Sequence, residues 1–260
     1  MKQVKKLPLT NQCHHWTRLG EVPWDLQKYW QQRYTIFPYY NEGIYMTEDA
    51  WYGVTPEPVA NQIAHEHGSI ISSSKTTVID LFAGVGANAI GLALALAEDG
   101  ATPRWEKVIA IELDAATLAC AQHNASLHGV ADDIIWVLGD SFKYLETLLG
   151  SPEKLEDDLQ VNVATTALFA SPPWGGPGYR TDEIFDLNTM EPYNLAKLHE
   201  AYRTMDHALY LPRTSDLRQI AKLIPDGTKI EVVQYCVEGA SKAMVAYIPA
   251  AKDEDTHAET

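Results

Sequence analysis

Along the second half of the chain, apolar and polar positions switch between two rhythms. Short, β-branched runs at 77–82, 107–111, 134–138, 161–170 and 208–211 read as strands. The stretches between them have the wider spacing of helices: an alanine-rich one to about 98, then 115–128 closed by Gly129, then 142–149, 194–207 and 216–223. Two last apolar runs, 229–236 and 243–248, read as an antiparallel pair. This alternation predicts an α/β fold, a doubly wound Rossmann-like sheet of seven strands with helices on both faces. Ligands in such sheets bind beyond the carboxyl ends of the strands.

The first part of the chain follows neither rhythm. Residues 1–23 show no sustained period and read as loop, partly disordered. Residues 24–34 read as a helix, with Asp25 in its first turn and Leu26, Tyr29, Trp30 and Arg33 at helical spacing. After an irregular aromatic stretch at 38–53, Thr55-Pro56-Glu57 reads as a helix start running to about 67, with Thr55 as the N-cap. The expected division is a small, mainly helical N-terminal extension at 1–57 covering the active site, a sheet domain at 58–250 and a polar tail at 251–260.

With 260 residues, 46% of them hydrophobic, the chain can bury a full core. No apolar stretch has the length of a membrane span, and Met1-Lys-Gln-Val-Lys-Lys6 lacks the apolar core of a secretion signal. Cys13, Cys120 and Cys236 are odd in number and far apart. They suggest reduced thiols inside a cell and show no metal-ligand spacing, so neither a metal nor a membrane is expected. The net charge of −15 argues against a broad nucleic-acid-binding face. Residues 1–37 differ, with Lys2, Lys5, Lys6, Arg18, Lys28 and Arg33 against Glu21 and Asp25. A nucleic-acid substrate would need a local basic pocket; otherwise this charge is a solvated surface. Nothing signals an oligomer, and a monomer is expected.

The string Asp80-Leu-Phe-Ala-Gly84-Val-Gly86-Ala-Asn88 lies between the first strand and its helix. Glycines there let backbone approach a ligand and open a helix N-terminus towards it. Glu112, ending the second strand, suits the two hydroxyls of a ribose. Asp140, ending the third, suits an adenine amine, with Phe142 packing on the ring. The string also fits G-x-G-x-x-A, which a nicotinamide cofactor would use. A carboxylate at Asp80 would repel a pyrophosphate but welcome an ammonium, which favours S-adenosylmethionine. Asp80 and Asp140 could alternatively serve only as helix caps.

The run at 161–170 ends in Ser171-Pro172-Pro173-Trp174, followed by Gly175-Gly-Pro-Gly-Tyr179. Proline fixes φ and removes backbone donors, so the carbonyls of Ser171 and Pro172 can accept hydrogen bonds beside a flat indole. Such a ledge suits a planar group bearing an exocyclic amine. With the glycine turn upstream, the chemistry indicated is methyl transfer to nitrogen.

The string from Ser171 to Tyr179 resembles the trimethylguanosine synthase family. Agreement continues, in order, through Lys28-Tyr-Trp-Gln-Gln-Arg-Tyr-Thr-Ile-Phe37, Trp51-Tyr-Gly-Val-Thr-Pro-Glu57, Asp80 to Gly86, His123-Asn-Ala125, Leu211-Pro-Arg213 and Lys242 to Tyr247. The resemblance implies a class I methyltransferase that methylates N2 of a 7-methylguanosine RNA cap twice, giving 2,2,7-trimethylguanosine. It implies small nuclear and nucleolar RNA substrates, RNA-associated proteins that deliver them, and residence in the nucleus. Trp174 would stack on the cationic guanine, and Ser171 and Pro172 would hold the amine. Lys28, Tyr179, Arg213 and Lys242 would meet cap phosphates. Phe37 and Thr55 would fold the N-terminal segment over the donor, although Phe37 could equally be plain core. Ala87 stands where the family often has a third glycine, Glu112 replaces the commoner Asp, and the stretches 98–106 and 150–160 are long. Two other readings stay open: methylation of another base or a protein amide, and a cap-binding module without transfer activity.

Overall fold

The computed structural model describes residues 1–71, 73–176, 183–224, 228–237 and 239–251. Seven strands form one sheet: β1 (Thr77–Asp80), β2 (Lys107–Glu112), β3 (Ile134–Leu138), β4 (Thr166–Ala170), β5 (His207–Pro212), β6 (Glu231–Val237) and β7 (Ala240–Ile248). Their order is β3-β2-β1-β4-β5-β7-β6. The first five run parallel, while β7 pairs antiparallel with both β5 and β6. The order reverses at β1 and β4, so the crevice between their carboxyl ends is the topological switch point.

The central strands are buried on both faces, as a covered parallel sheet requires. Period-two alternation sorts their side chains. Val78, Ala110 and Phe169 enter one core layer and Ile79, Ile109 and Leu168 the other. The first layer packs against α4 (Glu57–Ile70), α5 (Ala87–Leu94) and α6 (Ala115–Leu127). The second packs against α7 (Ser141–Gly150), α8 (Leu195–Tyr202) and α9 (Leu217–Ala221). Among the described residues, no helix is long and apolar enough to cross a membrane.

The N-terminal part departs from expectation in three ways. First, residues 1–23 are pinned. The Val4 N–H donates to the Trp136 carbonyl (2.9 Å) at the open edge of β3, and the Leu7 N–H donates to Gln122 (2.7 Å). His14 and Met46 exchange backbone hydrogen bonds of 2.8 and 2.9 Å. An unpaired sheet edge offers donors and acceptors that a loop can satisfy, and here the loop covers it. Second, 24–34 is not one helix but two short ones in sequence, α1 (Gln27–Trp30) and α2 (Arg33–Ile36). Third, Thr55 does not cap α4. That helix starts at Glu57 behind Pro56, and the Thr55 hydroxyl instead accepts from Asn88 Nδ2 (3.1 Å).

Other boundaries shift for local reasons. The apolar run before β4 begins with a 3-10 turn (Val163–Thr165) capped by Asn162, so the strand starts only at Thr166. The acidic 150–160 stretch is not simply exposed. Leu155 and Leu159 are buried against the second layer, and the Tyr144 hydroxyl donates to the Leu159 carbonyl (2.9 Å).

The extension and the sheet share a third core. Trp16, Trp30, Phe37, Tyr40, Met46 and Trp51 pack with Val85, Ala116, Ala119 and Cys120. A short turn helix, α3 (Ala50–Gly53), carries Trp51 into it. Asn124 of α6 fastens this core. Its Nδ2 donates to the carbonyls of Tyr45 (2.9 Å) and Val85 (3.0 Å), and its Oδ1 accepts from the Tyr45 N–H (2.9 Å). Asn124→Ala strands one buried and two partly buried backbone groups and should destabilise the fold by about 2–4 kcal/mol in denaturant unfolding. A loss below about 0.5 kcal/mol, the usual range of surface changes, would show that the extension is held by apolar packing alone.

Candidate active site

One cavity of about 650 Å³ opens at the carboxyl ends of β1, β2 and β4. Its size suits a small-molecule site. The turn after β1 forms its floor, with Phe82, Gly84 and Val85 on the wall. Gly86 begins α5 with φ of +94°, and a Cβ there would lie 3.1 Å from the Ala121 Cα of α6. Only glycine allows both the left-handed backbone and that approach.

Glu112 stands on the wall at the end of β2. Its Oε2 accepts from the Gly84 N–H (2.9 Å), and its Oε1 accepts from the N–H groups of Leu113 (2.8 Å) and Asp114 (2.9 Å). Burial nevertheless holds its pKa above the usual carboxylate range. Asp140 also lines the cavity and caps α7, its Oδ1 accepting from the N–H groups of Phe142 (2.9 Å) and Lys143 (3.4 Å).

Asp80 sits lower than the sequence suggests. It is fully buried beneath the turn and is not part of the cavity wall. Its Oδ1 accepts from the Phe82 N–H (3.2 Å), while its Oδ2 is buried without a partner. Desolvation pushes its pKa up to about 7; the Phe82 N–H opposes the shift and the charge of Glu112 adds to it. Phe142 is also off the wall. Its ring lies 4.5 Å from that of Tyr193, and it is Tyr193 that faces the cavity. Phe37 is buried in the third core, away from the cavity, whereas Thr55 is on the wall.

The Ser171–Trp174 ledge forms the opposite side. The Ser171 hydroxyl turns back to donate to the Phe82 carbonyl (3.3 Å), which ties the end of β4 to the glycine turn. The Ser171 and Pro172 carbonyls have no hydrogen-bond partner among the described residues. The Trp174 indole lies over Tyr210 of β5, with centroids 5.6 Å apart and planes at 19°, and its Nε1 donates to the Tyr210 carbonyl (3.3 Å). One strand therefore fixes the plane of the other strand's aromatic.

Of the predicted phosphate ligands, Tyr179 lies outside the described residues. Lys28, Arg213 and Lys242 are at or near the surface and none lines the cavity. Arg213 and Lys242 occupy the register position next to the Pro212–Ala243 pair, so the β5–β7 ladder brings two sequence-distant cations together. Lys28 is beside the mouth: its Nζ lies 4.9 Å from the Tyr29 ring, which meets the wall residue Tyr52 edge-on at 5.3 Å.

Sequence reading missed Asn88, Tyr193 and Tyr210. Asn88 is 5% exposed, lines the cavity and holds Thr55, and its Oδ1 is buried without a partner. Its place in the first turn of the helix after Gly86 was the available signal. Tyr210 immediately precedes the Leu211-Pro212-Arg213 string, and alternation along β5 could have put it on the ledge side. Nothing local marks Tyr193.

The strand order, the reversed last strand and a glycine turn facing acidic strand ends define the class I methyltransferase fold. A crystal structure from Porphyromonas gingivalis W83, a candidate methyltransferase, shares it with a TM-score of 0.58 at 16% identity. That likeness covers 88% of this chain and 51% of the other. Residues 75–251 match the family described as RNA cap guanine-N2 methyltransferase, and the chain belongs to that family. The trimethylguanosine synthase of Schizosaccharomyces pombe is 32% identical over 229 residues, covering 87% of each chain. That of Saccharomyces cerevisiae is 30% identical over 201 residues, covering 76% of this chain and 58% of the other. The chain is thus an enzyme of methyl transfer to the N2 of an RNA cap guanine.

Asp80 allows a test of the electrostatics. Its raised pKa means that the folded chain binds an extra proton between about 4, the ordinary aspartate range, and about 7. The associated stability is present below that window and is lost as pH rises through it. In the ligand-free protein, Asp80→Asn should therefore raise Tm at pH 8 and change it little at pH 4. An equal shift at both pH values would mean that the carboxylate is not desolvated.

Proposed function

We propose that this enzyme converts a 7-methylguanosine RNA cap to 2,2,7-trimethylguanosine by two methylations at N2, with S-adenosylmethionine as donor. The observation that carries the reading is the meeting, in one cavity, of the Glu112-braced glycine turn and the Ser171–Trp174 ledge. The residues present fit the donor. Two buried oxygens lack partners, Asp80 Oδ2 beneath the floor and Asn88 Oδ1 on the wall, and both suit an ammonium. Glu112 suits the ribose hydroxyls, and Asp140 and Tyr193 suit the adenine end, with Phe142 packed behind Tyr193. When bound, the donor supplies a methyl group on a sulfonium, a good leaving group.

The chain's own residues then do the positioning. Trp174, backed by Tyr210, offers its indole to a guanine made cationic at N7; such a stack gains about 0.5–2 kcal/mol and favours methylated caps. The Ser171 and Pro172 carbonyls accept from the N2 amine and aim its lone pair at the donor. That amine is a poor nucleophile because its lone pair is delocalised into the ring, so orientation within the cavity supplies most of the rate. The proton leaves after transfer, when the nitrogen has become acidic, so no strong base is required. Lys28, Arg213 and Lys242 supply positive charge for the cap phosphates, with the Tyr179 hydroxyl as a further phosphate ligand. Residues 1–57 act as the cover, through Thr55 and the third core, over a catalytic domain at 58–250. The substrates are small nuclear and nucleolar RNAs, brought by RNA-associated proteins, and the enzyme acts in the nucleus.

The test is transfer of labelled methyl groups to a 7-methylguanosine cap dinucleotide and to its unmethylated twin, with products resolved by mass. One and then two methyls on the first substrate alone are expected. Transfer to neither, with the donor still bound, would move the search to another amine. Trp174→Ala should cut kcat/KM for the methylated cap by about 2- to 30-fold while donor affinity survives, and near-normal rates would remove the stacking model.

A further inference from the structure

The turn at 23–28 presents a side chain that the cavity does not use. Trp24 is 86% exposed, more than any other large apolar side chain among the described residues. Its surroundings are fixed. Val22 and Leu26 are buried, the Leu26 N–H donates to the Pro23 carbonyl (2.9 Å), and the Gln27 amide donates to the Val22 carbonyl (3.2 Å). The backbone is thus anchored on both sides while the indole stands in water.

Single exposed aromatics are common, so position decides the matter. The turn is tied to the cavity mouth at two points. The Asp25 carboxylate next to Trp24 accepts from the Tyr52 hydroxyl (2.7 Å), and Tyr52 lines the cavity. Four residues beyond Trp24, Lys28 reaches over Tyr29, which packs edge-on against Tyr52. Two of the nearby acids are held by the protein itself, Asp25 by Tyr52 and Glu21 by the N–H groups of Thr17 (2.9 Å) and Arg18 (3.2 Å), while Asp49 stands on the cavity wall close enough to Tyr52 to raise its pKa. An indole on the turn leading into α1 and an ammonium on α1, four residues apart, therefore flank Asp25 and Tyr29, two residues that contact Tyr52 of the cavity wall.

We propose that Trp24 is a stacking platform for the base of the nucleotide that follows the cap guanosine, with Lys28 meeting the bridging phosphates. The inference rests on the cap-methylating reading above. Stacking on an aromatic face tolerates any base, which suits an enzyme that reads a cap and not a sequence. It also supplies a hold on RNA that needs no basic track, which a chain of net charge −15 does not offer.

The experiment compares two acceptors, 7-methylguanosine triphosphate and a capped dinucleotide carrying a second base, using wild type, Trp24→Ala and Trp24→Phe. The expected result is that Trp24→Ala raises KM for the dinucleotide relative to the triphosphate by about 5- to 100-fold, with kcat little changed. Trp24→Phe, which keeps a ring, should restore most of the loss. Because the side chain is exposed, the fold should survive both changes, with an unchanged Tm as the check. If wild type methylates both acceptors and Trp24→Ala fails to separate them, the platform is wrong and the cap reading stands. If wild type methylates neither, the cap reading fails and the platform falls with it.

Discussion

The closeness of the turn after β1 to helix α6 governs the rest of the site. At Gly86 the two backbones come so close that a Cβ would lie 3.1 Å from the Ala121 Cα, and the left-handed φ disfavours other residues as well. Once the turn is set that deep, its polar backbone needs partners that are not water. Glu112 takes the Gly84 N–H from one side, and Asn124 takes the Val85 carbonyl from the other. Asn124 also holds both backbone groups of Tyr45, so the brace that orders the floor orders the N-terminal segment too. Floor and N-terminal segment are a single hydrogen-bonded unit, and the third apolar core fills the space behind it.

The acceptor side is built by a different route to the same rigidity. Pro172 and Pro173 restrict the backbone after β4, and the Ser171 hydroxyl anchors it to Phe82. Trp174 then leans on the neighbouring strand through its stack on Tyr210 and its Nε1 hydrogen bond. The indole keeps its plane in the ligand-free protein. Two contacts from β5 do that at little entropic cost, because β5 is itself a buried strand. The plane of the indole is thus set by the strand beneath the ledge.

Much of this was legible in the sequence, for physical reasons that also explain the rest. Burial on both faces makes parallel strands into short apolar runs, so β3 was read to the residue and β2 nearly so. Glycines, prolines and strand-ending carboxylates are local signals, so the turn, the ledge and Glu112 could be placed before any contact was known. What failed depends on tertiary partners. Residues 1–23 carry no periodicity because they are ordered by the edge of β3 and by Gln122, not by themselves. The Thr55 hydroxyl had two plausible acceptor roles, and Asn88, distant in sequence, decided between them. Leu155 and Leu159 were hidden in an acidic stretch whose charges face water while its two leucines do not. Phe142 was read towards the ligand, but Tyr193 took the wall position in front of it.

The placement of Asp80 and Asn88 argues that the ligand-free fold is not at its stability optimum. Each leaves a buried oxygen without a hydrogen bond, and an unsatisfied buried polar group costs about 1–3 kcal/mol, more when it is charged. Apolar residues would remove that cost, so stability alone gives no reason for a carboxylate there. A cation arriving in the cavity changes the balance, because attraction across a low-dielectric floor is stronger than in water. With Asp80 near neutrality in pKa, the same carboxyl can be protonated while the site lacks a cation and ionised once one is present. The site can therefore hold a buried acid without a permanent partner, and that acid strengthens its hold on any cation that enters the cavity.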